Sequence, residues 1–81
     1  MSLNEALVLL MKNVSGRIPT GYWEQNGQYI FNTKATPMTD GLAAPAQYVV
    51  TESGDVYGTN PIQSGLDIGK MKKLPTFGKK W

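Results

Sequence analysis

The chain has 81 residues, a formal net charge of +2, and neither cysteine nor histidine. That length predicts one small domain, 1–81, burying only roughly 60–65% of the surface its unfolded form exposes. Without Cys and His there is no disulfide framework, no thiolate nucleophile and no ordinary zinc site, and acid–base chemistry loses its commonest group at neutral pH.

Ser2-Leu3-Asn4-Glu5 has the S-x-x-E form of a capping box. It predicts a helix over 2–14, with Gly16 as its stop and Pro19 preventing continuation. At 100° per residue, Ala6, Leu10, Leu3, Val14, Leu7 and Met11 form one arc, wide enough for a core face. Val8 and Leu9 fall outside it, among Asn4, Glu5, Lys12 and Asn13. Two apolar residues on a polar face predict either a partner or dimer contact, or packing against a loop or tail of the same chain. The apolar run Ala6 to Met11 is too short to span a bilayer. Asn13-Val14-Ser15 matches the glycosylation sequon and, without a recognisable signal peptide, is expected to be a chance match. With no recognisable targeting segment, a cytoplasmic location is the default expectation.

A hairpin is predicted over 21–33, where Asn26-Gly27 lies between Tyr22-Trp23 and Tyr29-Ile30-Phe31, four of the eight aromatic residues being here. A two-residue turn sets Trp23 opposite Ile30; a three-residue turn with a Gly bulge sets it opposite Tyr29. A second hairpin is predicted over 46–59, with Gly54 in its turn. There a two-residue turn would oppose Glu52 and Asp55, an unfavourable like-charge pair, whereas the bulged form opposes Thr51 and Asp55. Alignment of Gly27 with Gly54 extends the bulged form, and hence the Trp23–Tyr29 pairing, to the first hairpin. Between the hairpins, Lys34 to Pro45 carries turn signals and reads as a crossover, with Lys34, Thr36, Thr39 and Asp40 as its polar groups. Thr59-Asn60-Pro61 ends the second hairpin. Ile62 to Gly69 fits either a helical turn or a short edge segment.

The charge is divided along the chain. Before residue 70, Lys12, Arg17 and Lys34 stand against six acids, a net of −3; Lys70, Lys72, Lys73, Lys79 and Lys80 then give +5. Residues 69–81 therefore read as an irregular basic tail, either an interaction arm or a segment that folds back.

The expected fold is α+β: an N-terminal helix on a four-stranded antiparallel sheet built from two hairpins. A catalytic role is not expected. The closest carboxylates, Glu52 and Asp55, flank an exposed turn, and no phosphate-loop, dinucleotide or calcium motif is present. No metal or cofactor is predicted. The function expected is a protein-interaction or assembly module, self-associating or binding a protein partner, with Val8, Leu9, Trp23 and Tyr29 as contact residues. The alternative is nucleic-acid or polyanion binding through Lys70, Lys72, Lys73, Phe77, Lys79, Lys80 and Trp81, lysines on phosphates and rings on bases.

Overall fold

The computed structural model describes residues 1–36 and 45–74. It is an α+β structure whose single long helix packs on a five-stranded antiparallel sheet. Helix α1 spans Leu3–Asn13 and opens with the expected capping box: the Glu5 amide donates to Ser2 Oγ at 3.2 Å, and the Ser2 amide donates to Glu5 Oε1 at 3.1 Å. Those bonds favour the ionised carboxylate and hold the Glu5 pKa below its ordinary value, the Ser2 backbone donor being the largest cause. At the far end the Val14 amide donates to Leu10 O at 2.8 Å and Val14 itself is already extended, at φ −129° and ψ 117°, so the helix ends there; Gly16, at φ 78°, lies two residues further on, just before β1.

The strands are β1 (Arg17–Gln25), β2 (Gln28–Ala35), β3 (Gln47–Val50), β4 (Val56–Thr59) and β5 (Lys72–Lys73), in the order β4-β3-β2-β1-β5. Between β4 and β5 lie the short helix α2 (Pro61–Ser64) and a 3₁₀ turn at Ile68–Lys70. The helical turn thus settles the choice left open for this segment.

The first hairpin has the two-residue register: Gln25 pairs Gln28, Glu24 pairs Tyr29 and Trp23 pairs Ile30. The expected Trp23–Tyr29 pairing is therefore wrong. Asn26 at φ 53° and Gly27 at φ 78° both occupy the left-handed region, as a type I′ turn requires. The second hairpin does take the bulged form. Thr51 N–H donates to Asp55 O at 2.8 Å, the Gly54 amide donates to Thr51 O at 2.9 Å, and Gly54 has φ 98°. The charge repulsion that selects the bulge there has no counterpart between Gln25 and Gln28, so the Asn-Gly preference decides the first turn.

Alternation along these strands divides the sheet into two faces. Under α1 lie Tyr29, Phe31, Tyr48 and Val50, packed with Ala6, Leu10 and Leu74. Tyr29 and Phe31 stack at 6.2 Å, and Tyr22 tilts against both. On the opposite face Trp23, Ile30 and Val49 are covered by Leu66 and Met71. That cover comes from the chain's own return segment.

A fifth strand adds to the four expected, and of the expected tail, residues 72–74 fold back against β1. A bulge in β1 between Pro19 and Gly21 frees the Thr20 carbonyl to accept from the Leu74 amide at 3.1 Å. Lys72 and Lys73 then pair with Tyr22 and Gly21, and Leu74 enters the core under α1. The Met71 side chain fills the space a Cβ on Gly21 would take. Residues 75–81, with Phe77, Lys79, Lys80 and Trp81, lie outside the described residues, as do Thr39 and Asp40 of the crossover.

Gly27→Ala is expected to destabilise the protein by about 1–2 kcal/mol, the cost of an L side chain in the left-handed region. Asn26→Gly, which suits the same turn, should leave the urea midpoint nearly unchanged.

Candidate functional site

The four residues expected to contact a partner part company in the structure. Trp23 is buried, and its indole Nε1–H donates to Asp67 O at 3.0 Å. Tyr29 is buried on the other face of the sheet. Its hydroxyl pKa is raised, first by desolvation and then by the neighbouring Glu24 carboxylate, both of which disfavour the phenolate. Leu9 is half-buried against the core, its Cδ1 3.9 Å from the position a Cβ on Gly54 would occupy. Only Val8 is open to solvent, at 54% exposure.

The helix face is rotated from the one periodicity predicts. Because α1 lies against β3 and β4, Leu9 turns onto the β3–β4 loop while Met11, expected in the core arc, is 36% exposed. Val8 then stands between two shallow hollows. One, of about 430 Å³, is lined by Asn4, Leu7, Val8, Met11 and Lys12; the other, of about 380 Å³, by Asn4, Glu5, Val8 and Leu9. The outer face of α1 is an apolar ridge with an acid near one end and a base near the other.

A third concavity, of about 310 Å³, lies at the edge of the sheet beside the indole. It is lined by Trp23, Glu24, Gln25, Leu66, Lys70 and Lys72. The 3₁₀ turn places Lys70 and β5 places Lys72, so two of the candidate polyanion-binding lysines share a groove with the buried tryptophan. Lys73 sits beside Lys72 in β5, opposite Gly21. The Asp67 carboxylate accepts from the Gly69 amide at 2.9 Å and caps the 3₁₀ turn, fixing where Lys70 emerges.

Elsewhere the polar groups serve the fold. Ser53 Oγ donates to Asp55 Oδ2 at 3.2 Å and the Asp55 amide donates to Thr51 Oγ1 at 3.0 Å, closing the turn. Buried Gln47 Oε1 accepts from Ser64 Oγ at 2.8 Å, tying α2 to β3. Among the described residues, no group of three or more acidic, His or Cys side chains is placed to hold a metal ion. None of their helices is long and apolar enough to cross a membrane.

Sequence reasoning did not identify Met71 and Leu74 as structural, nor Asp67 as the indole's acceptor. The available signal was the apolar series Leu66, Met71 and Leu74 running into the basic stretch. Comparisons with protein-family models, with curated proteins and with solved structures find no match to this chain.

Proposed function

We propose that this chain is a small non-catalytic protein-interaction or assembly module that docks through the outer face of α1. The observation supporting this is the exposure of Val8, a residue with no place in either core, between two apolar hollows. A single exposed apolar residue is ordinary; here Val8 is flanked by exposed Met11 and by the half-exposed side chains Leu7 and Leu9. Trp23 and Tyr29 do not belong to this surface, because each is occupied in a core. The absence of His and Cys, and the use of Asp55 and Asp67 in turns and caps, favour binding over catalysis.

The test avoids Leu9, whose replacement by a charge would disturb the β3–β4 loop. Val8→Glu with Met11→Glu is expected to weaken association at least tenfold, about 1.4 kcal/mol, with the melting temperature unchanged. Sedimentation and capture by the tagged chain measure this. Unaltered association in a folded double variant would remove α1 as the docking surface.

The second reading, binding of single-stranded nucleic acid or another polyanion, is favoured by the groove that joins Lys70 and Lys72 to Trp23. Truncation from residue 70 is unsuitable as a test because it would also remove β5 and core residue Leu74. Lys70→Glu with Lys72→Glu should instead weaken binding of an oligonucleotide followed by tryptophan fluorescence. If both lysines meet phosphates, the variant should also reduce the salt slope by about 1.4, roughly 0.7 per contact. No fluorescence response of the unaltered chain at low salt would contradict this reading.

A further inference from the structure

The two edges of the sheet are protected very differently. β5 is two residues long, both lysine, and such a short charged edge resists pairing with another strand. β4, Val56-Tyr57-Gly58-Thr59, carries neither a charge nor a proline, and its Tyr57 is 51% exposed. It also holds hydrogen-bonding groups directed away from β3. The Thr51 amide to Asp55 carbonyl bond and the β3–β4 register fix the phase: Val49 with Tyr57 and Gln47 with Thr59 are the hydrogen-bonded pairs. Val56 and Gly58 are the alternate, non-bonded pairs, so their amides and carbonyls point outward.

We propose that β4 is a self-association edge, pairing antiparallel with β4 of a second copy about a two-fold axis at Tyr57. This rests on the assembly reading but uses a different surface from α1, so either can fail without the other. The phase of the edge admits a two-fold axis at Val56, Tyr57 or Gly58, and of these only the Tyr57 axis pairs both outward residues of β4 with residues of the second β4. With the axis at Tyr57, Val56 of each copy opposes Gly58 of the other, and every outward group between them meets a complementary one. The two Tyr57 residues become a directly opposed non-bonded pair, where aromatic side chains contribute favourably. Charge agrees with this register: Asp55 faces Thr59 of the second copy, so the two Asp55 carboxylates are not opposed. The occupant is a second copy because the two-fold register sets Tyr57 against Tyr57 and Asp55 against Thr59, so that the aromatic side chains meet and no like charges are opposed. Four residues per copy make a small interface, so the association is reversible and concentration-dependent, in roughly the micromolar to millimolar range.

Sedimentation equilibrium of the unaltered chain, with amide exchange at low and high concentration, tests the pairing. The expected result is a monomer–dimer equilibrium in which the Val56 and Gly58 amides exchange more slowly as concentration rises. Tyr57→Lys, which opposes two like charges on the axis, should weaken dimerisation at least tenfold; Val8→Glu should leave this edge-protection signal in place. Tyr57→Cys supplies the chain's only thiol. Directly opposed non-bonded residues have Cα atoms about 4.5 Å apart, within disulfide range, so this variant should form a cross-linked dimer on mild oxidation. Ile62→Cys, at a position 93% exposed but outside the strand, should cross-link much more slowly. A chain that stays monomeric at high concentration, concentration-independent exchange at Val56 and Gly58, or equal cross-linking at positions 57 and 62 would overturn the proposal.

Discussion

The register set by Asn26-Gly27 is the constraint on which the rest of the structure depends. Side chains alternate along a strand, so moving the turn by one residue changes which partners share a face. With two residues in the turn, Trp23 lies opposite Ile30, and Tyr29 opposite Glu24. The tryptophan then belongs to one face and the tyrosine to the other. Each seeds a separate core: Tyr29 with Phe31, Tyr48 and the underside of α1, and Trp23 with Ile30, Val49, Leu66 and Met71. The turn also meets its counterpart, since the Glu52 carboxylate lies 2.8 Å from where a Cβ on Gly27 would stand.

A single helix covers one face of such a sheet, and the other face creates a demand that the return segment meets. Three features of β1 receive it: the Trp23 indole bonded to Asp67 O, the missing side chain of Gly21 beside Met71, and the bulge that turns the Thr20 carbonyl toward Leu74. Much of the aromatic surface that could have served binding is therefore used to hold the chain's own strands together. Among the described residues, the large apolar side chains left exposed are Val8 and Met11 on α1, Tyr57 on β4, Ile62 and Ile68 on the return segment, and Met1. The functional proposals follow from this remainder and from the groove in which Lys70 and Lys72 approach the indole.

Local chemistry was the legible part of the sequence. Ser2 and Glu5 announced the start of α1, and the Gly54 turn followed from the clash that Glu52 and Asp55 would otherwise suffer; the helix itself ends at an extended Val14, two residues before the expected stop at Gly16. The error at the first turn came from transferring that electrostatic argument to Gln25 and Gln28, which carry no charge. Leu9 and Met11 exchanged expected places because helical periodicity gives an arc but not its centre, which here is set by packing across β3 and β4. β5 escaped notice because two lysines have weak strand propensity. Their pairing depends on a bulge about fifty residues earlier in the chain, a long-range relation that composition and periodicity do not encode. The candidate sites were legible to the same extent: Val8 by its position on a helix, Lys70 and Lys72 by charge, but not their surroundings.

The assignment of Trp23 and Tyr29 to opposite cores, and hence away from the binding surfaces, is most directly tested by cross-strand proton contacts in nuclear magnetic resonance. Non-hydrogen-bonded antiparallel pairs bring their Cα protons together. The structure predicts Cα-proton contacts between Glu24 and Tyr29 and between Tyr22 and Phe31. A direct Trp23–Tyr29 contact, with the Glu24–Tyr29 contact absent, would contradict it and return both aromatic residues to a shared face.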